Sequence, residues 1–172
     1  MSSLTKEQAK SKLINAGIGA KYTHLTVAET VPKAKEYALG WKEWLPKDKH
    51  IVYATDGTHN MLVFAGAVFL ASNYDTYVID TALLVHALQN RDTEILNKVD
   101  ELDVLGLTGF YDSSLYECPF SAWQLRLLEG FLGQLSRDQS TSFILDVDKP
   151  EMKWYSDRFR SLIKMDSIEI LQ

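Results

Sequence analysis

Cysteine and long apolar stretches are the two features that this sequence has least of. A single cysteine, Cys118, excludes an internal disulfide and suits a reducing cytoplasm. No segment approaches the run of about 18 apolar residues that a membrane-spanning helix needs. Residues 1–7 are polar, so no secretory signal is expected. The sequence therefore predicts a cytoplasmic protein without a membrane anchor.

Positive charge is also scarce through most of the chain, whose net charge is −5. Residues 1–50 carry nine lysines and five acidic residues, whereas residues 51–148 carry four basic and fourteen acidic residues. A protein that grips a phosphate backbone over its main surface needs a basic surface there. Any nucleic-acid contact would therefore use the ends of the chain, and a protein partner is equally expected.

Short β-rich runs alternate with helical patterns from residue 50 onward. The expected strands are 50–54, 76–79, 103–107, 142–145 and 167–171, and the expected helices between them include 81–89, 93–99, 119–135 and 150–164. This alternation predicts an α/β fold, a single three-layer domain with a mostly parallel five-stranded sheet. Residues 1–172 form one domain, with a helical segment at 1–49 before an α/β core at 50–172. We expect the inner face of the long helix to carry Trp123, Leu127, Leu128, Phe131 and Leu135.

Ligands collect where the strands of such a sheet end, and the first strand runs into an Asp-Gly turn. A P-loop at this place needs glycines, a lysine for the terminal phosphates and a hydroxyl for magnesium. Asn60 and Met61 occupy the lysine and hydroxyl positions, and Asp56 adds a negative charge. The turn should therefore repel a triphosphate, and its simplest interpretation is a strand-to-helix connection. The degenerate loop comprises Ala54, Thr55, Asp56, Gly57, Thr58, His59, Asn60 and Met61.

Several short motifs follow one another along nearly the full chain. Residues 17–22 are Gly-Ile-Gly-Ala-Lys-Tyr, and residues 45–47 are Leu-Pro-Lys, placed just before the first strand. The Gly-Thr pair lies inside the degenerate loop, and residues 158–163 begin Arg-Phe-Arg-Ser ahead of the last strand. Together these motifs resemble the AAA+ domain of bacterial and phage helicase loaders of the DnaC and IstB type. The resemblance implies a P-loop NTPase (AAA+)-like fold.

The departures from this family matter as much as the matches. At the strand end where the family has paired acids, this chain has Thr108 and Gly109, and Asp146 or Asp148 replaces the sensor-one asparagine. The resemblance therefore implies a pseudo-ATPase without a catalytic residue or cofactor, acting in DNA replication and typical of a phage or mobile element. We also expect the chain to lack the N-terminal domain with which such loaders grip the helicase. The implied partner is a replicative helicase or an active loader, and oligomers are compatible with it.

Two arginines near the end of the chain have a separate implication. In the resembled family, arginines at the place of Arg158 and Arg160 reach the nucleotide of a neighbouring subunit. The simpler interpretation is that both lie on a solvated helix face.

Two other functions stay open at this point. Four aspartates follow predicted strands and would suit a magnesium-dependent phosphoester hydrolase: Asp80, Asp112, Asp146 and Asp148. The simpler interpretation is that Asp80 and Asp148 begin helices and that Asp112 lies in a solvated loop. Alternatively, aromatic residues near lysines would let the chain bind single-stranded DNA without nucleotide, although core positions explain them equally well. These aromatic residues are Trp41, Trp44, Trp154 and Tyr155. The four histidines are too scattered for a zinc site.

Overall fold

The described residues of the N-terminal segment are largely helical. The computed structural model describes residues 5–24, 32–44, 50–53, 65–66, 74–138, 141–149, 151–165 and 167–170. Helix α1 spans Lys6–Asn15 and begins with a capping box in which Thr5 and Gln8 exchange hydrogen bonds. Helices α2, Pro32–Leu39, and α3, Trp41–Trp44, follow.

A parallel sheet forms the centre of the molecule. Its strands are β1, His50–Tyr53; β2, Thr76–Asp80; β3, Val104–Tyr111; β4, Ser142–Val147; and β5, Ser167–Ile170. The order is β2-β3-β4-β1-β5, and every neighbouring pair is parallel. The helices between the strands are α4, Thr81–Asn90; α5, Thr93–Val99; α6, Ala122–Asp138; and α7, Asp157–Met165. The predicted α/β class and its parallel sheet are confirmed.

The described core lies between the sheet and helices α4, α6 and α7. Side chains along β3 and β4 are buried almost without a break, which is typical of parallel strands covered on both faces. Phe110 and Phe143 from these strands are fully buried, together with Leu84 of α4 and Leu128 of α6. No described helix is long and apolar enough to cross a membrane.

Edge strand β2 is covered by the chain that leaves α1. The amide of Val78 donates a hydrogen bond to the carbonyl of Ala16 at 2.8 Å. Gly17 follows with φ of +83°, and a Cβ atom there would lie 2.0 Å from the Val78 carbonyl oxygen. Only glycine permits this close approach, which protects an edge that would otherwise be open to pairing.

Two helices begin later than predicted because local caps fix their first residues. Ser121 and Gln124 exchange hydrogen bonds, so α6 begins at residue 122 rather than at Pro119. The hydroxyl of Ser156 accepts from the amide of Phe159, so α7 begins at 157 rather than at 150. The expectation that Trp123 lies on the inner face of α6 is wrong. This side chain is 56% exposed in the first turn.

Candidate functional site

The strand order creates one point where the chain connections diverge. The chain crosses from β1 to β2 in one direction along the sheet, and from β4 to β5 in the opposite direction. Because β1 and β4 are neighbours, their carboxyl ends flank the divergence. In open α/β sheets, the crevice at such a point is where ligands bind. The candidate site is therefore the carboxyl edge of β1, β4 and the adjacent strand β3.

The degenerate loop predicted from the sequence starts where β1 ends. Its positions 54–61 lie outside the described residues. The last residue of β1, Tyr53, pairs with Asp146 of β4. The interpretation of this segment as a degenerate nucleotide loop therefore stays a prediction from the sequence. It concerns Asp56, Gly57, Thr58, His59, Asn60 and Met61.

Thr108 and Gly109 lie near the carboxyl end of β3, before its last residue Tyr111, and carry no carboxylate of their own. The register with β4 shifts between Leu107 and Tyr111. Within this irregular stretch Gly109 adopts φ of +60°, a conformation that favours glycine. The Gly109 amide donates to an Asp146 carboxylate oxygen at 3.1 Å. The backbone of β3 therefore binds the carboxylate of Asp146 on the neighbouring strand.

The four aspartates near this edge are held by separate partners. Asp80 caps α4 by accepting from the amides of Ala82 and Leu83, at 2.9 and 3.2 Å. Asp112 accepts from the amide and hydroxyl of Ser114, two residues further on. No three acidic, histidine or cysteine side chains in the described part of the chain are grouped so that they could hold a metal ion.

Asp148 does not begin a helix, which corrects one expectation. Its carboxylate accepts hydrogen bonds from the Ser113 amide, at 2.8 Å, and from the Ser113 hydroxyl. The partner lies 35 residues earlier in the sequence, so no local pattern could have shown it. Asp148 therefore fixes the loop after β3 to the end of β4. Asp80, by contrast, caps a helix as expected.

The two arginines predicted to contact a partner have different surroundings. Arg160 donates to the Glu151 carbonyl at 3.0 Å and pairs with Asp157, so it holds the turn before α7. Arg158 is exposed and lines a cleft between α6 and α7 together with Arg126 and Arg137. The sequence reasoning missed the two arginines of α6. Their spacing of eleven residues, which returns to the same helix face, was the available signal.

The remaining candidates are structural. Tyr155 is 3% exposed and stacks on Phe110 with ring centroids 4.5 Å apart, which confirms its core position. Trp41 packs edge-on against Tyr74, and the side chain of Trp44 lies outside the described part. Burial raises the pKa of the Cys118 thiol, which keeps the sulfur protonated at neutral pH and argues against a nucleophile.

No protein-family model and no curated protein sequence matches this chain. Solved structures do. A crystal structure of the DnaC helicase loader superposes with a TM-score of 0.66 at 16% identity, covering 89% of this chain and 99% of the loader chain. The chain has the fold of a DnaC-like AAA+ domain.

Two structures of DnaA share this AAA+ fold. AMPPCP-bound DnaA from Aquifex aeolicus has a TM-score of 0.59 at 16% identity, over 89% of this chain and 51% of that one. The replication initiator DnaA bound to AMPPCP and single-stranded DNA gives 0.58 at 17% identity, over 89% and 50%. This chain thus spans about half of the DnaA chains.

Proposed function

We propose that this AAA+-like chain is a non-hydrolysing accessory or regulatory protein of DNA replication that acts by binding another protein. The observation that carries the proposal lies near the end of β3, where Thr108 and Gly109 supply no carboxylate of their own to the crevice. The fold shared with the DnaC helicase loader supports the link with replication. The partner is then a replicative helicase or an active loader.

The missing groups are those that phosphoryl transfer depends on. A P-loop NTPase holds the terminal phosphates with lysine, and magnesium with a hydroxyl and an acidic strand end. This chain has Asn60, Met61 and Thr108 at the corresponding positions. The nearby Asp146 is bound to the Gly109 amide. Each substitution removes a charge or a metal ligand, whereas the sheet that positions the outer helices is kept.

Arg158 supports a role in partner binding. It is exposed on the first turn of α7, and no ion pair joins it to another residue in the described ranges. Arg160 is held within its own turn. Arg158 is therefore the arginine of this segment that can meet a second protein without breaking an existing contact.

Nucleotide binding gives the first test. A ligand at 100 times its Kd stabilises a protein by about 2.7 kcal/mol, which thermal unfolding detects easily. We expect millimolar ATP with Mg²⁺ to leave the Tm of this chain unchanged and to release no phosphate. An intact DnaC-type loader serves as the positive control. Tight, magnesium-dependent binding with turnover would refute the proposal in favour of an enzyme.

Partner binding gives the second test. Purified chain is added to an active DnaC-type loader and the replicative helicase of the same host, and complex formation and ATP hydrolysis by the loader are measured. We expect a complex that Arg158→Ala weakens. Lys164→Ala removes an exposed charge from the last turn of the same helix and should have no effect. Failure to bind either protein would refute the proposed partners.

A further inference from the structure

A cleft of about 500 Å³ lies between α6 and α7. We call it the arginine groove. It is defined by Arg126, Gly130, Gly133 and Arg137 of α6 with Arg158 and Leu162 of α7. The four residues of α6 follow steps of four, three and four, so they form one narrow stripe along the helix.

The groove concentrates positive charge in an acidic part of the chain. Residues 51–148 contain only four basic residues, and two of them, Arg126 and Arg137, line it. All three arginines are exposed, and none forms an ion pair with another residue that the structure describes. The one acid of the lining, Glu129, accepts hydrogen bonds from the Ser156 amide and hydroxyl at 2.6 and 2.8 Å. The arginines are therefore left for an external anion.

The floor of the groove is open because of a glycine in mid-helix. A Cβ atom on Gly130 would meet nothing within 4 Å, so packing does not require glycine there. Glycine in a helix interior lowers stability relative to alanine. Gly133 allows Leu162 to approach, with 4.0 Å between the Leu162 Cδ2 atom and a Cβ built at Gly133. Gly130 thus leaves a space beside an apolar wall that a ligand side chain can fill.

The length and lining of the groove select the kind of anion. Arg126 and Arg137 are eleven residues apart, about 16 Å along the helix, which a small anion cannot span and about five extended residues can. The aromatic ring in the lining, Phe159, is only 4% exposed and offers no face on which a base could stack. Trp123 is exposed one turn before Arg126, and tryptophan with arginine is typical of protein interfaces.

From these observations we infer that the arginine groove binds an extended acidic segment of a partner protein, with an apolar side chain of the segment over Gly130. The inference deepens the protein-binding function proposed above and rests on it. The net charge of −5 opposes an acidic partner at long range. At physiological salt, however, the Debye length is about 8 Å, so the local arginines decide the interaction.

The test uses a labelled peptide and the full chain. Fluorescein-labelled Glu-Asp-Leu-Asp-Leu-Asp-Glu is titrated with protein at physiological salt, beside peptides with lysine for each acid or serine for each leucine. We expect the acidic, leucine-containing peptide to bind most tightly. Arg137→Glu and Gly130→Leu should each weaken its binding about tenfold or more, the first by repelling carboxylates and the second by filling the floor. Lys10→Glu reverses an exposed charge on α1 and should not change binding.

Four outcomes would overturn the inference. The first is that the peptide does not bind to the chain. The second is that the two groove variants bind it as tightly as the parent chain, with circular dichroism confirming that both variants are folded. Tighter binding of the oligonucleotide dT10, lost in the same variants, would make the groove a nucleic-acid site. Concentration-dependent self-association that the variants abolish would make the occupant a second copy. If the peptide does not bind to the groove while the chain still binds the helicase or loader, the proposed function stands and the binding surface for that protein lies elsewhere on the chain.

Discussion

At the scale of single residues, Tyr155 shows how burial couples an ionisable group to stability. Its hydroxyl donates to the Phe110 carbonyl at 2.8 Å inside the core. Burial raises the pKa of Tyr155 well above its ordinary value of 10.0. Above about pH 10 the unfolded chain therefore loses this proton while the folded chain keeps it. Stability is unaffected by this group below that pH and falls as the pH rises further.

The replacement Tyr155→Phe separates these two effects. Near neutral pH it should cost about 1 kcal/mol, since one buried hydrogen bond is lost. Between about pH 9 and pH 11, the free energy of unfolding should fall less steeply in the variant than in the parent chain. Urea denaturation across this range measures both. As a control, Tyr116→Phe alters a fully exposed ring and should leave the free energy of unfolding at pH 8 unchanged. If this free energy fell equally steeply with pH in the parent chain and in Tyr155→Phe, the expected coupling would be wrong.

At the scale of helices and strands, two glycines should respond to alanine with opposite signs. Gly17→Ala places a Cβ atom against the Val78 carbonyl at positive φ, so it should lower the free energy of unfolding by at least about 1–2 kcal/mol. Gly130→Ala meets open space and improves helix propensity, so it should raise this free energy by about 0.5–1 kcal/mol. Chemical denaturation of the purified variants gives both values.

The control for this comparison lies one turn further along α6. Gly133→Ala gains the same helix propensity, and its new methyl group would lie at ordinary contact distance from Leu162. It should therefore resemble Gly130→Ala and not Gly17→Ala. A destabilised Gly130→Ala variant would contradict the open floor of the arginine groove.

The elements that sequence predicted well are those whose signals are local. Alternating strand and helix patterns predicted the sheet, and Asp80 marked the start of the helix that it caps. The start of α7 was missed because Ser156 is itself held by Glu129, which lies 27 residues earlier. Asp148 was misplaced because its partner, Ser113, is equally remote in sequence.

The candidate site was only partly accessible to sequence. The resemblance to helicase loaders put the strand end at Thr108 and Gly109, whereas β3 continues to Tyr111. Neither the register shift there nor the contact of Gly109 with Asp146 has a sequence signature. Trp123 was assigned to the inner face because its hydrophobicity fits the helical period. A first turn that begins with a cap at Ser121 projects it outside the core instead.

At the scale of the whole molecule, charge distribution argues against single-stranded DNA as the main ligand. Nine lysines lie within residues 1–50, whereas residues 51–148, which include β2, β3 and β4, carry four basic and fourteen acidic residues. Each phosphate that a protein neutralises on single-stranded DNA contributes about −0.7 to the slope of log K against log salt. A binding face built from this chain would therefore need several basic residues close together to show a clear salt dependence.

We expect a fluorescein-labelled dT20 oligonucleotide to show no change of anisotropy with micromolar protein at about 50 mM salt, because the acidic middle of the chain repels the phosphates. The double variant Lys6→Glu with Lys10→Glu reverses exposed charges on α1, so it tests whether the basic end contacts DNA. It should behave as the parent chain does. Binding with a salt slope of about −2 or steeper, abolished by the double variant, would instead establish a nucleotide-independent DNA-binding protein that uses its N-terminal segment.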